Sequence, residues 1–361
     1  MWNDALMCKG RQNRTKCIII GIAVSVGVLL VCVLSAFSLH PGLWLQGLRN
    51  VEMTQWIPLD CSPYSRTFSS GNSLYFTEGH GILRYENGIN AEFEFSELPC
   101  FASGDTALGY VPGERGGMLL SGSGKWVSVD GTVDAVITGK DAFGVIFSGS
   151  GYLTNTVIYD LLGNKLLETG FVEEAMADGC FPGENRDFAA LTFGTDGLWR
   201  VRCYSQNGEL LWQYPFQSGS VPEMLSLGDR TVLITDEEIM MFDDTGESEY
   251  THSFGVWEPC LTASGREILA IVIKCRGEYR MITVSVRGDV LGQWELSVLP
   301  VDIVVSGGQI YVLDPGNLHV YDAFGNLRLS SSEGARAGGL EASENCVWLI
   351  GYGELMQIEN S

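Results

Sequence analysis

The chain has 361 residues, with 44 acidic against 22 basic residues and a formal net charge of −22. This excess of negative charge argues against nucleic acid and anionic lipid headgroups as partners of its surface, because both carry charge of the same sign. Apolar residues make up 45% of the chain and glycine occurs 45 times, a composition that predicts many turns between short buried strands.

The first element in chain order is an uncharged apolar segment from Cys17 to Phe37. At about 1.5 Å per residue it is long enough to cross the roughly 30 Å hydrocarbon core of a bilayer, so we predict a transmembrane α-helix. Four basic residues precede it: Lys9, Arg11, Arg14 and Lys16. Positive charge on the N-terminal side predicts a cytoplasmic tail over residues 1–16, a juxtamembrane linker over 38–50 and everything later on the outer face.

A cleaved signal peptide is the alternative interpretation of the same segment, with Ala36-Phe37-Ser38 as its cleavage site. The apolar region of a signal peptide usually has about 7 to 15 residues, fewer than this segment has, which favours an anchor. The predicted location is therefore the cell membrane, with a single pass, a cytoplasmic N-terminus and the lipid bilayer as the partner of Cys17 to Phe37.

One turn pattern then recurs along the rest of the chain: an apolar strand, a polar turn with glycine, and a second strand. The seven turn glycines are Gly88, Gly131, Gly163, Gly208, Gly246, Gly288 and Gly325. They lie about 40 residues apart on average, the length of one four-stranded propeller blade. Asp160, Asp243 and Asp322 open three of these turns, and we interpret them as turn formers rather than calcium ligands, since calcium needs several converging oxygens.

The two ends of this repeat region complete each other. The last repeat lacks an outer strand, and the strand signal from Val51 to Leu59 can supply it, which would close a ring by pairing the chain ends. We therefore predict an all-β fold over residues 51–361, a β-propeller of eight four-stranded blades preceded by one transmembrane α-helix. If the short interval from Gly131 to Gly163 is not a full blade, the number is seven.

Three repeats contain longer middle hairpins, and we expect these to be the places that contact a partner. Their sequences are FGVIFSGSGYLTNTVIYD, FAALTFGTDGLWRVRCYS and EILAIVIKCRGEYRMITVSV.

The repeats CYSQNGELLWQY and VYDAFGNLRLS resemble the outer hairpins of quinoprotein-like propellers, a pattern that WD40-like propellers largely share. The whole layout, a short basic tail, one helix and an acidic propeller, is similar to the DUF5711 family of bacterial membrane proteins. That resemblance implies location and fold only. Quinoprotein dehydrogenases hold their cofactor with two adjacent cysteines, and no adjacent cysteines occur here, so we predict no cofactor.

Four cysteines stand at similar places near the start of repeats: Cys61, Cys100, Cys180 and Cys260. We expect them to begin innermost strands and to line the central channel. Packing as small apolar side chains is favoured over a metal-binding or disulfide-exchanging thiol cluster, because zinc requires sulfurs at about 2.3 Å. The seven cysteines after the anchor are an odd number, so at least one is unpaired or bonded to another chain.

No catalytic or metal-binding pattern is found among the four histidines or the serine-glycine stretches. The favoured function is a non-catalytic binding or scaffold module at the cell surface, with a protein or cell-envelope partner. The alternative is a propeller enzyme, a hydrolase, lyase or oxidoreductase, with its site at the central channel.

Overall fold

The computed structural model describes residues 51–59, 67–70, 73–78, 81–86, 89–94, 100–102, 108–110, 118–120, 126–128, 132–139, 141–148, 153–183, 187–342 and 346–360. The predicted tail, transmembrane helix Cys17 to Phe37 and linker lie outside these residues. Within the described ranges, no helix has the length and apolar character needed to cross a membrane.

The described residues form eight antiparallel sheets, numbered here in the chain order of their innermost strands, β3, β7, β11, β15, β19, β23, β27 and β31. Sheet 1 contains β3 (Thr67–Ser70), β4 (Ser73–Glu78), β5 (Gly81–Glu86) and β6 (Ile89–Glu94). Sheet 2 contains β7 (Cys100–Ala102), β8 (Leu108–Tyr110), β9 (Met118–Leu120) and β10 (Trp126–Ser128). Sheet 3 contains β11 (Thr132–Thr138), β12 (Ala142–Ser148), β13 (Thr154–Asp160) and β14 (Lys165–Phe171). Sheet 4 contains β15 (Glu174–Cys180), β16 (Phe188–Gly194), β17 (Trp199–Tyr204) and β18 (Leu210–Phe216).

The later sheets repeat this order. Sheet 5 contains β19 (Glu223–Leu227), β20 (Arg230–Ile234), β21 (Glu238–Phe242) and β22 (Ser248–Ser253). Sheet 6 contains β23 (Glu258–Ser264), β24 (Ile268–Cys275), β25 (Glu278–Ser285) and β26 (Val290–Leu296). Sheet 7 contains β27 (Asp302–Ser306), β28 (Gln309–Leu313), β29 (Leu318–Asp322) and β30 (Leu327–Ser331). A short 3₁₀ helix, Ser332–Arg336, leads to sheet 8, which contains β31 (Ala337–Ala342), β32 (Cys346–Gly351) and β33 (Glu354–Asn360) together with β1 (Val51–Met53) and β2 (Ile57–Pro58).

From sheet 2 onward, the innermost strands of successive sheets lie side by side. Strand β7 contacts β11, and the series continues through β15, β19, β23, β27 and β31. Strand β31 in turn contacts β3, so the series returns to sheet 1. Four-stranded antiparallel sheets whose first strands surround a common axis are the blades of a β-propeller.

The amino-acid pattern explains why each sheet is sandwiched between two others. In the second strand of sheet 6, every side chain from Ile268 to Ile273 is buried, so both faces of the strand are covered. In the outer strand β26, by contrast, exposed and half-buried residues mix because one edge faces solvent. The middle strands β24 and β25 have eight residues each, against five in β20 and β28, so the predicted longer hairpin of this repeat is confirmed.

The two ends of the described chain share sheet 8. Strand β1 pairs antiparallel with β33, with Val51 opposite Asn360, and β2 pairs with the start of the same strand, with Ile57 opposite Leu355. Between them the Thr54 backbone N–H donates to the Gln357 carbonyl at 3.0 Å. Residues more than 300 positions apart are therefore neighbours in one sheet.

The strand directions define two faces of the propeller. We call the crossover face the one that carries the connections from sheet to sheet, such as 172–173, 217–222, 254–257 and 297–301, and the turns between second and third strands, such as 235–237 and 276–277. The turn face carries the turns between third and fourth strands, such as 161–164, 205–209 and 243–247. Because neighbouring strands within each sheet are antiparallel, these two sets of connections lie at opposite ends of the strands.

The turns between third and fourth strands follow one plan. Asp160 Oδ1 accepts hydrogen bonds from the backbone N–H groups two and four residues later, at 2.9 and 2.8 Å. The equivalent side-chain oxygens are those of Ser205, Asp243, Ser285 and Asp322. The glycine in each turn has φ between 83° and 86°, a conformation that other residues rarely adopt. The interpretation of Asp160, Asp243 and Asp322 as turn formers is confirmed.

Asp322 allows this turn to be tested. Its side chain is only 2% exposed and also accepts from the Arg328 guanidinium at 2.6 Å. Replacing Asp322 with alanine should lower the free energy of unfolding by about 2 to 4 kcal/mol, because the Arg328 guanidinium and two backbone N–H groups lose the buried carboxylate that accepts their hydrogen bonds. The Asp243→Ala variant should lose less, because the hydrogen bonds of Asp243 are exposed and their donors can turn to water. Equal losses in urea unfolding would contradict this assignment.

Removing the strands that join the chain ends should destabilise the whole propeller. A chain that begins at Cys61 lacks β1 and β2 and the apolar side chains that pack on sheet 8, among them Met53, Trp56 and Ile57. We expect its unfolding free energy to be about 3 to 5 kcal/mol below that of a chain that begins at Ser38. Calorimetry on the two chains is the measurement, and identical melting temperatures would contradict the expectation.

Candidate functional site

The structure describes three of the four predicted channel thiols, Cys100, Cys180 and Cys260. Cys61 lies outside the described residues, and Cys100 is the first residue of β7. Cys180, in contrast to the expectation, is the last residue of its innermost strand rather than the first. Cys260 is the third residue of β23, where an irregularity in the pairing with β24 leaves it without a partner residue. Cys180 and Cys260 belong to sheets 4 and 6, with sheet 5 between them.

Three of the described thiols are packed against neighbouring residues and have raised pKa values. Cys180 and Cys203 are free and buried in an apolar cluster that joins sheets 4 and 5. Burial raises the pKa of Cys180 well above its usual range and that of Cys203 to about 12. The half-buried Cys260 thiol donates to the Val272 carbonyl at 3.2 Å, and burial raises its pKa as well. Among the described residues, no three side chains of His, Cys, Asp or Glu are placed to hold a metal ion.

Two aspartates on innermost strands tie neighbouring blades together. Asp178 of β15 accepts a hydrogen bond from the Met224 N–H of β19 at 3.2 Å. Asp302 of β27 likewise accepts from the Leu340 N–H of β31 at 2.8 Å. Burial raises the pKa of both carboxyl groups, although the backbone donors partly oppose it. No local sequence signal marks these residues, since their partners lie 46 and 38 positions away.

Glu341 is the most perturbed carboxyl group of the innermost strands. Burial, and secondly the charge of Asp302, raise its pKa to about 8. Its Oε2 lies 3.5 Å from the Ser69 hydroxyl, which donates to the Ala342 carbonyl at 2.5 Å. Ser69 belongs to β3 and Glu341 to β31, so this protonated group lies where sheet 8 meets sheet 1.

A pH dependence follows from the raised pKa of Glu341. The folded chain keeps this proton up to about pH 8, whereas the unfolded chain releases it near the ordinary pKa of 4.5, so stability falls as pH rises between these values. The Glu341 contribution is at most about 1.4 kcal/mol per pH unit. Glu341→Gln should flatten the dependence of the melting temperature on pH over this window, and the exposed Glu209→Gln should not. A Glu341→Gln chain with the wild-type slope would contradict the assignment.

A groove with a volume of about 820 Å³ lies on the crossover face between sheets 5 and 6. Its walls are the connections 217–222 and 254–257, the turn 235–237 and the beginning of β23. The lining residues are Ser220, Val221, Glu223, Ile234, Thr235, Asp236, Gly255, Val256, Trp257, Glu258, Pro259, Cys260, Leu261 and Thr262. This volume lies in the range of ligand-binding pockets.

The 254–257 connection is fixed by contacts at both of its ends, and its middle is exposed to solvent. Phe254 is buried, and its N–H donates to the Glu237 carbonyl at 2.8 Å, which fixes the start of the connection. The Arg280 guanidinium lies 4.3 Å from the centroid of the Trp257 ring and braces its end. Between these fixed points Val256 is 79% exposed, and across the groove Val221 is 74% exposed. The groove therefore presents aliphatic side chains on rigid supports.

Three carboxyl groups line the same groove. Asp236 accepts from the Ser218 hydroxyl at 3.0 Å, and Glu223 accepts from the Thr262 hydroxyl. Glu258 is exposed and lies 3.7 Å from Lys274, an ion pair in which both side chains are open to solvent. No arginine, lysine or histidine is among the residues that line this groove. The groove is thus acidic as well as apolar.

A basic hairpin tip borders the groove. A smaller cavity of about 300 Å³ adjoins it, and Val256 and Glu258 line both cavities. Lys274, Arg276 and Gly277 form its other side, at the turn between β24 and β25. Arg276 has φ of 51° and Gly277 of 89°, as a two-residue turn between antiparallel strands requires.

Exposed apolar side chains concentrate on this face. Of the 14 large apolar residues that are exposed in the described part of the chain, nine belong to the crossover face. They are Leu153, Val172, Phe193, Val221, Val256, Val298, Leu299, Val301 and Tyr352. Contiguous exposed apolar surface marks a site of interaction, and of these nine residues Val221 and Val256 line the same groove.

Solved structures of other proteins share the fold. BamB from Moraxella catarrhalis superposes with a TM-score of 0.55 at 14% identity, over 86% of this chain and 98% of its own. The C-terminal WD40 domain of Sif2 gives 0.57 at 12% identity, over 87% and 99%. Sqt1 from Saccharomyces cerevisiae gives 0.55 at 10%, over 87% and 100%. No protein-family model matches the chain, and no curated protein does. At these identities the likeness establishes a β-propeller fold and nothing finer.

Proposed function

We propose that the chain is a non-catalytic binding or scaffold module that holds a protein partner against its crossover face. The observation that carries this proposal is the groove between sheets 5 and 6, where exposed Val221 and Val256 stand beside carboxyl groups. Apolar anchors next to polar groups are the usual composition of a protein-binding surface. The similarity to a WD40 domain supports the same proposal at the level of fold.

The proposal includes a place at the cell surface. The uncharged segment Cys17 to Phe37 would anchor the chain, with residues 1–16 in the cytoplasm, the linker 38–50 outside, and residues 51–361 as an eight-bladed closed ring. The similarity of this layout to the DUF5711 family supports the same arrangement. The partner would be a protein or another component of the cell envelope.

The position of Val51 is compatible with this anchoring. Val51 pairs with Asn360 at the far end of β33, which runs from the crossover face to the turn face. The chain therefore enters sheet 8 at the turn face, opposite the groove. A tether before Val51 would leave the groove accessible.

An enzyme with a site at the central channel is the second candidate, and the raised pKa of Glu341 favours it. Perturbed carboxyl groups concentrate at catalytic sites, but buried structural groups are perturbed as well. The same Glu341→Gln variant distinguishes an enzyme from a non-catalytic binding module. If a hydrolytic or lyase activity is found with the full-length chain and this variant abolishes it while the fold remains intact, the enzyme interpretation replaces the binding module.

Replacing the two exposed valines should abolish partner capture. A full-length Val221→Ser/Val256→Ser chain should retain less than about a tenth of the wild-type affinity for a captured envelope protein. Each valine that the partner covers in the complex contributes roughly 1.5 kcal/mol or more. Leu162→Ser is the matched control, because Leu162 is 69% exposed on the turn face. Quantitative capture from membrane extracts measures both. Equal capture by all three chains would refute the proposed surface.

A further inference from the structure

We propose that the segment bound in the groove is a basic, apolar peptide in which lysine or arginine alternates with aliphatic residues. This inference rests on the proposed function and gives the chemistry of the partner. It follows from how charged and apolar side chains alternate where the chain enters successive blades.

A Val-x-Glu pattern recurs at the start of three consecutive first strands. Glu174, Glu223 and Glu258 are the first residues of β15, β19 and β23. In each case a valine stands two residues earlier, and these residues, Val172, Val221 and Val256, are 67%, 74% and 79% exposed. The crossover face thus repeats an aliphatic side chain and a carboxyl group once per blade across sheets 4, 5 and 6. A peptide with matching alternation can contact more than one copy.

The three copies differ in how far neighbouring groups compensate the negative charge of the glutamate. Glu174 accepts from the Thr192 hydroxyl at 2.8 Å and from Arg202 at 2.7 Å, so its charge is neutralised within sheet 4. Glu223 accepts from a neutral hydroxyl, and Glu258 has only the exposed Lys274 at 3.7 Å. The two copies that border the groove are those whose negative charge is least compensated.

The negative charge of the groove therefore indicates which class of molecule can bind in it. Glu223, Asp236 and Glu258 line the groove. Of the cations nearby, Arg280 is engaged with the Trp257 ring and with Glu295, and Lys274 lies 3.7 Å from Glu258. Arg276 lines the smaller adjoining cavity and is not among the groove residues. An acidic peptide or a nucleic acid would place like charges against these groups, at a cost, whereas basic side chains would be attracted. The valines supply apolar contact that a simple cation would not use.

Peptide binding to the purified full-length chain in detergent tests the inference. The probe is a fluorescein-labelled synthetic peptide in which lysine and valine alternate, followed by fluorescence anisotropy. Two comparison peptides have glutamate in place of lysine or serine in place of valine. We expect saturable binding of the lysine-valine peptide that weakens as salt rises, and at least tenfold weaker binding of both comparison peptides.

Matched variants assign that binding to the groove. Glu223→Gln/Glu258→Gln keeps an acceptor for the Thr262 hydroxyl, so the fold should be retained, yet the dissociation constant for the lysine-valine peptide should rise at least tenfold. Glu209→Gln/Glu247→Gln removes the same charge from the turn face and should change nothing. Circular dichroism and melting temperature verify the fold of each variant.

The outcomes distinguish a failure of the basic-peptide inference from a failure of the proposed binding function. No saturable binding, equal binding of the glutamate-valine peptide, or equal affinity in the Glu223→Gln/Glu258→Gln chain would overturn the basic-peptide inference. If the valine variant still loses capture of its envelope partner in that case, the binding module stands and only the partner chemistry is wrong. If the valine variant captures normally as well, both fail.

Discussion

The blades of this protein depend on one another, because the middle strands of sheets 3 to 8 are largely buried on both faces. The second strand of sheet 6 is buried from Ile268 to Ile273, a pattern that only sheets on either side can satisfy. An isolated blade would expose two apolar faces, and an open row of blades would expose one at each end. The ring is the arrangement that leaves none exposed, so the pairing of β1 with β33 and the contact of β31 with β3 stabilise every sheet indirectly.

The two faces of the ring use different chemistry. On the turn face, an Asp or Ser oxygen and a glycine with positive φ reproduce nearly the same turn in five sheets. On the crossover face, the fully described connections between sheets vary from two to six residues and include a 3₁₀ helix. Conserved local geometry on one side holds the blades, while variable connections on the other side create the groove. Binding sites commonly form on such loops above a rigid scaffold.

The sequence predicted the features that depend on local chemistry. Turn glycines such as Gly163 and aspartates such as Asp160 predict their hairpins from the sequence. Both the positive φ of the glycine and the side-chain acceptor of the aspartate determine the turn within a window of five residues. The propeller fold followed from repeating that signal. The position of Cys180 was wrong, since spacing from a turn does not show where a strand with a pairing irregularity ends.

The candidate site could not be predicted in the same way. The groove needs Val221 and Val256 on opposite sides, and their proximity depends on the packing of sheets 5 and 6. The links from Asp178 to Met224 and from Asp302 to Leu340 likewise join strands of different blades. The Val-x-Glu pattern was present in the sequence, but only the exposure of the valines distinguishes it from an ordinary strand start.

The placement of β1 has a mechanical consequence. A force applied to the chain before Val51 and directed along the axis of β1 loads its pairing with β33 in shear, so that the bonds near Val51, Thr54 and Ile57 resist together. A force directed sideways, away from sheet 8, peels the same bonds one after another, beginning opposite Asn360. The pairing of β1 with β33 therefore resists a force along β1 better than a lateral force, although the same few hydrogen bonds are involved.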